Sequence, residues 1–363
     1  MKKQVLCIFG GMSSEYEVSL RSVCTVLEAL DTEKYDVHKL GITRDGKWYL
    51  YTGENDAIAD NTWHKDTSNL SRAMLSPDFG DGFLYVEVSP NVRHFVLYPI
   101  DVIIPVVHGA YAEDGKLQGL LSMSGIPYVG PHCTASAISM DKVYTKLILN
   151  NYDIPQAKCA VISRTLLERD TDAAVAQAEA IDAYPLFVKP ANAGSSVGAS
   201  KANDRTALLA ALKLAAEHDD KILVEECIVG KEVECAVLGN LDPKATVPGE
   251  IDAGAEFYDY EAKYITATSS AYIPARIKEE TQEAIRAYAK RIYEILGCKG
   301  LSRVDFFVTT EENGDEGIIF NEINTLPGFT SISMYPKLWN HMGTSTTALL
   351  DELITLAIRA NKH

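Results

Sequence analysis

The sequence has no run approaching the ~20 apolar residues that cross a bilayer. Its opening, MKKQVLCIFGG, passes straight into a strand-and-glycine pattern, so neither a signal peptide nor a membrane anchor is expected. There is no C-x-x-C pair. Cys7, Cys24, Cys133, Cys159, Cys227, Cys235 and Cys298 are scattered and odd in number, which points to reduced core thiols in a cytoplasm. Basic charge is scarce: 34 Lys and Arg stand against 50 Asp and Glu, and the formal net charge of −16 repels nucleic acid and anionic membrane surfaces, both held chiefly by Lys and Arg. Neither the P-loop pattern nor G-x-G-x-x-G occurs, which argues against the dinucleotide-dependent oxidoreductase that the early glycine pair suggests. No internal repeat or low-complexity segment is found.

What is present is an ordinary globular composition, with 47% hydrophobic and 23% charged residues. At 363 residues the chain is long enough for two or three lobes with a cleft between them. QVLCIFGG reads as a buried strand, followed by a helix with Leu20, Val23, Leu27 and Leu30 at helical spacing. A second strand–helix unit runs from Asp101 to Val107, through the polar loop HGAYAEDG, to a helix from Lys116. The roughly fifty residues between them, with GITRDGKWYL and FLYVEV, read as a meander of short strands without assigned chemistry. A helical run from about Ala135 to Asn151 carries Lys142 and stops at Ile154-Pro155. The strands PLFVKP, KILVEEC, SRVDFFV and GIIFNEIN follow, with helices between them, a long one near Lys278 to Leu296, and a final amphipathic helix. The expected lobes are 1–130, 131–228 and 229–363.

Spacing places candidate chemistry on these elements. In SRVDFFV, Arg303 and Asp305 share one face of an extended strand; in IIFNEIN, Glu322 and Asn324 do the same. A hairpin between the two would gather the oxygens of Asp305, Glu322 and Asn324, a donor set for a hard cation such as Mg²⁺. An amphipathic hairpin with a solvated polar face accounts for the same pattern. NTLPGFTSIS holds Gly328 in a turn that cannot continue the strand past Pro327, and KPANAGSSVG sets a glycine- and serine-rich loop after a strand. Both offer backbone N–H groups to an anion, and both fit a plain turn. Lys142 and Lys189 sit in apolar surroundings where a polyphosphate would supply the missing partner, although a solvated strand-end lysine reads the same way. The tyrosine-rich stretch EFYDYEAKY, Glu256 to Tyr264, fits a lid, or a surface loop packed by its own rings.

Taken in order, GGMSSEYEVSL, HGAYAEDGKLQG, IPYVG, SAISMDK, FVKPANAGSSVG, EFYDYEAKY, SRVDFF and NEINTLPGFTSISMYP resemble the D-alanine:D-alanine ligases of the ATP-grasp superfamily, over nearly the whole chain. The resemblance implies a three-lobed α/β and α+β ATP-grasp fold with an N-terminal Rossmann-like domain. It implies ATP-dependent ligation of two D-alanine molecules for peptidoglycan precursors, in a cytoplasmic homodimer with no nucleic-acid or membrane partner. It assigns ATP phosphates to Lys142 and Lys189, adenine to Glu225, Glu226 and Ile228, ribose to Glu232, and the γ-phosphate to Lys263. Two Mg²⁺ ions, or Mn²⁺, fall to Asp305, Glu322 and Asn324. The first substrate's ammonium falls to Glu15, connected through Ser195 to Tyr264. The second substrate's carboxylate falls to Ser333, the oxyanion to Arg303 and the Gly328 N–H, and a place near the substrates to His108. Ala112, where glycine is usual before Glu113, and Ser122, where an acid is common, depart from the family pattern. A ligase taking D-serine or D-lactate second is the nearest alternative, and a non-catalytic nucleotide-binding regulator a further one.

Overall fold

A computed structural model describes residues 1–89, 92–194, 197–252 and 270–361. The first sheet has seven strands: β1 (Lys3–Gly10), β2 (Tyr35–Ile42), β3 (Trp48–Tyr51), β4 (Leu70–Leu75), β5 (Phe83–Ser89), β6 (Val92–Pro99) and β7 (Val102–Val106), in the order β6-β5-β4-β3-β2-β1-β7. β1 pairs in parallel with β2 and with β7. Val5 through Phe9 are wholly buried, as a central parallel strand covered on both faces must be. The fifty-residue stretch read as a meander extends this sheet as antiparallel strands.

The second sheet comprises β8 (Cys159–Ser163), β9 (Leu186–Pro190), β10 (Ser200–Ala202) and β11 (Lys221–Glu226), all antiparallel, in the order β10-β9-β11-β8. The third holds β12 (Lys231–Gly239), β13 (Lys244–Ala245), β14 (Gly249–Asp252), β15 (Ser270–Tyr272), β16 (Gly300–Thr310) and β17 (Glu316–Asn324), with β12 and β17 on either side of β16. A short link, residues 227–230, joins β11 of the second sheet to β12 of the third.

Three differences from the sequence reading have physical causes. The single helix expected from Ala135 to Asn151 is two, Cys133–Met140 and Lys142–Asn150. Asp141 between them is extended, and its carboxylate accepts the backbone N–H of Val143 and Tyr144 as an N-cap while pairing with Lys221. A helix Met334–His341, unread in the sequence, carries Pro336 in its first turn, where a missing N–H costs nothing. All seven cysteines are free, but only Cys7, Cys235 and Cys298 are buried, while Cys133 and Cys159 are exposed, so the expected core placement holds in part.

The final helix, Thr346–Ala360, buries Leu349, Leu350, Leu353 and Ile354 in the same core as β1 and β7. The helices 133–150 contribute Ala135 and Leu149 to the core of the third sheet. Each of these helical segments is thus packed against a sheet that another part of the chain supplies.

Candidate functional site

β16 and β17 run antiparallel with Asp305 opposite Glu322 and Arg303 opposite Asn324. Directly opposed residues share a face, so all four side chains emerge together. Arg303 donates from Nε to Asp305 Oδ1 at 2.8 Å and from Nη2 to Asp305 Oδ2 at 2.6 Å; Asn324 Nδ2 donates to the same Oδ2 at 3.0 Å. Glu234, opposite Asp305 on β12, lies 3.0 Å from the same Nε through its Oε2. Glu322 lies 3.5 Å from Lys142 Nζ. Among the described residues no three His, Cys, Asp or Glu side chains converge as a metal cluster. The set here is two carboxylates and an amide oxygen, which suits a hard divalent cation that keeps several of its waters.

Lys142 opens its helix and donates to the Ala193 carbonyl at 2.8 Å, on the loop after β9. Its ammonium therefore stands between that glycine-rich loop and Glu322. Lys189, at the end of β9, is not left to await a phosphate: its Nζ is 2.6 Å from Glu225 Oε2, while Lys146 Nζ takes Glu225 Oε1 at 2.7 Å. Burial raises the Glu225 carboxyl, yet the two ammonium groups outweigh it and hold it below its usual value. Glu226 accepts the Lys158 backbone N–H at 2.7 Å. Ile228 follows in the half-buried link to β12, and Glu232 sits on β12 opposite Phe307 and Ile251.

Glu15, buried just ahead of the helix Tyr16–Ala29, reaches toward two loops. A Cβ at Gly109 would lie 2.4 Å from Glu15 Oε2, and one at Gly194 2.8 Å, so the carboxylate is packed directly against both glycines. Three distant segments, the first turn, HGAYAEDG and KPANAG, meet at that point.

The turn after β17 is tied to the first lobe through His108 and Glu113. His108 Nδ1 faces the Leu326 carbonyl at 2.8 Å, so it must carry the proton; Nε2 accepts from the Ser22 hydroxyl at 3.2 Å, which in turn accepts the Phe329 N–H at 3.2 Å. Burial pushes His108 below its ordinary value against the pull of Glu15, so the ring is neutral. Glu113 accepts the Gly109 N–H at 2.9 Å and the Leu326 N–H at 2.7 Å. Its carboxyl is pushed up to about 7, first by burial and then by the charge of Glu15. Further along the turn, Ser333 Oγ accepts the Thr330 N–H at 3.0 Å, and a Cβ on Gly328 would come within 2.8 Å of that oxygen. Gly328 and Ser333 are neighbours.

Ser195, Lys263 and Tyr264, with the whole stretch EFYDYEAKY, lie outside the described residues. Sequence reading gave no role to Glu234, Lys146 or Ser22. Each carries a signal visible afterwards: Glu234 has the strand parity of Glu232, Lys146 lies one helical turn beyond Lys142, and Ser22 lies two turns beyond Glu15.

The family model described as D-ala D-ala ligase N-terminus matches residues 4–131, and that described as D-ala D-ala ligase C-terminus matches residues 148–355. A D-alanine–D-alanine ligase of Acetivibrio thermocellus is 48% identical over 368 aligned positions, covering 99% of this chain and 96% of that protein. D-alanine–D-alanine ligase B of Clostridium tetani is 46% identical over 359 positions, covering 99% and 94%. Among solved structures, the VanG D-Ala:D-Ser ligase from Enterococcus faecalis superposes with a TM-score of 0.87 at 42% identity, covering 98% of this chain and 100% of that one. The D-alanine-D-alanine ligase from Coxiella burnetii superposes at 0.80 with 32% identity, covering 99% and 95%.

Proposed function

Because the chain belongs to the D-alanine–D-alanine ligase family, we propose that the residues gathered around the β16–β17 hairpin carry out the family's reaction in the roles set out below. The chain is an ATP-dependent ligase of ATP-grasp architecture that joins two D-alanine molecules through a D-alanyl phosphate, releasing ADP and phosphate, for peptidoglycan precursors. The observation that best supports the assignment of roles is the convergence of Lys142, Glu322, Asp305, Asn324 and Arg303 at one end of one hairpin.

In this reading Glu15 takes the ammonium of the first D-alanine, which orients its carboxylate toward the γ-phosphate. Lys142 and Lys189 hold the phosphate chain, Glu225, Glu226 and Ile228 the adenine, and Glu232 the ribose. Asp305, Glu322 and Asn324 would hold two Mg²⁺ ions, for which Mn²⁺ can substitute, and the ions would neutralise phosphate charge during transfer. The carboxylate oxygen of the first D-alanine bonds to the γ-phosphorus as the bond to ADP breaks. The amine of the second D-alanine, whose carboxylate is met by Ser333, then bonds to the acyl carbon, and phosphate leaves with the bonding pair and takes up the proton that the nitrogen gives up. Arg303 and the Gly328 N–H receive the transient oxyanion. His108, neutral and fixed on both nitrogens, braces the Gly328 turn rather than carrying charge to the substrate. Ser195, Tyr264 and Lys263 keep the lid and γ-phosphate roles that the family resemblance gives them.

Lobes at 1–130, 131–228 and 229–363 are supported by the placement of one sheet in each. A cytoplasmic homodimer is part of the same reading; among the described residues no helix is long and apolar enough to cross a membrane. A D-serine second substrate is the alternative favoured by the likeness to the Enterococcus faecalis D-Ala:D-Ser ligase. Phosphate release and dipeptide formation, measured together with ATP, Mg²⁺ and a panel of D- and L-amino acids and D-lactate, decide the matter. D-alanine alone should support both. Preferential D-alanyl-D-serine formation would replace the reading with the alternative, and phosphate release without any dipeptide would overturn it.

A further inference from the structure

Lys146 has no role in the reaction as read so far, yet it is buried, 5% exposed, and it shares Glu225 with Lys189, both read above as nucleotide residues. With Glu225 and Lys189 it forms a buried group of two cations and one anion. Such a group holds one more positive charge than it neutralises. Burying unbalanced charge is costly unless a counter-ion arrives, and ATP is the anion this cleft receives.

The two lysines are held differently. Lys146 has a second oxygen partner, the Ala157 carbonyl at 3.2 Å, on the chain that leads from its helix to β8. For Lys189, Glu225 is the oxygen partner found among the described residues, beside the Phe187 ring at 5.9 Å. Lys189 also ends the strand that runs into the glycine-rich loop. Lys146 is therefore anchored and Lys189 stands next to the phosphate path.

We propose that Lys146 is a positioning residue for the nucleotide: it keeps the Glu225 carboxylate paired, so that Lys189 can pass from Glu225 to the phosphates of ATP without stranding a buried anion. The inference rests on the reading that Lys189 meets phosphate and Glu225 lines the adenine pocket. Without Lys146, Glu225 has a single cation left to it, and releasing Lys189 would leave a bare carboxylate in the interior. Lys189 would then stay locked on Glu225, and the phosphates would lose it. Adenine, which sits against Glu225 itself, would notice far less.

The readout is the ratio of ATP affinity to adenosine affinity, measured by calorimetry or by displacement of a fluorescent nucleotide, with Mg²⁺ and without D-alanine. Lys189→Met is the control and should lower the ratio about tenfold or more, the scale of one charged hydrogen bond. Lys146→Met should lower it by a similar factor while adenosine binding changes by less than about twofold. In the double variant Lys146→Met, Glu225→Gln no carboxylate detains Lys189, and the ratio should return to within about twofold of that of Glu225→Gln alone. That comparison also stands in for the single variant if Lys146→Met does not fold. If Lys189→Met leaves the ratio unchanged, the phosphate reading fails and takes this inference with it. If Lys189→Met lowers the ratio but Lys146→Met does not, the inference alone fails. A double variant well below Glu225→Gln would also overturn it, because Lys146 would then be acting other than through Glu225.

Discussion

Asp305 and Glu322 face each other across a strand pair, and each already has a cation, Arg303 on one and Lys142 on the other. A carboxylate so placed can exchange a side-chain cation for a metal ion and stay paired. Glu322→Gln removes one negative donor and should lower kcat by about a hundredfold or more, since several kcal/mol of charge stabilisation are at stake, with the melting temperature near that of the parent. Near-normal turnover at ordinary Mg²⁺ would remove Glu322 from the metal site. Glu15→Gln should raise the KM for the first D-alanine by about tenfold or more while ATP affinity stays within about twofold, because the lost pairing is charge-assisted and remote from the nucleotide. Equal losses for both ligands would contradict that placement. Glu113 gives a pH signature. Its carboxyl is raised from 4.5 to about 7 in the folded chain, so its contribution to stability is full below the unfolded value and is lost as pH rises through about 7. Glu113→Gln cannot titrate, and its amide nitrogen faces one of the two N–H donors, so the variant should be less stable at every pH but lose less stability between about pH 5 and pH 8. Thermal melts across that range check the slope. At this scale the sequence told which residue types stand at strand parity, as with Arg303 and Asp305. It could not tell that Lys189 is paired with Glu225, because their contact depends on the register of β9 against β11.

Periodicity located most of the secondary elements of the site, and it failed where a side chain competes with the backbone. The apolar pattern from Ala135 to Asn151 is helical throughout, yet the chain breaks at Asp141, whose carboxylate takes two N–H groups of the next helix. That break sets where Lys142 begins its helix, and so where its ammonium points. Asp141→Ala should cost about 0.5–2 kcal/mol as a lost N-cap, seen in chemical denaturation, and should weaken ATP binding through Lys142. A loss of stability with unaltered ATP affinity would show that the cap does not position the lysine. The helix Met334–His341 escaped sequence reading for a related reason. It is short, it has Pro336 in its first turn, and its place is set by packing against β12 and the final helix, with the Tyr335 hydroxyl donating to the Val237 carbonyl.

On the scale of the molecule, the last helix closes the structure. Leu349, Leu350, Leu353 and Ile354 lie among the side chains of β1 and β7, more than two hundred residues away in sequence. Leu353→Ala should cost about 2–5 kcal/mol, and denaturation should remain a single transition for the first lobe and this helix together. Independent melting of the helix from the first lobe would show that the shared core is not cooperative. By itself the sequence determined the class of the fold, the site's strands and their faces, the acidic net charge, and the ordered motifs that mark the family. These are local in origin, since strand parity, helical spacing and turn chemistry act over a few residues. Only the tertiary structure decided that Glu15 meets Gly109 and Gly194, that Glu113 and His108 grip the turn at Leu326, and that Lys146 shares Glu225 with Lys189. Each of those contacts joins segments far apart in the chain, and their distances are fixed by how sheets and helices pack, which no local pattern records.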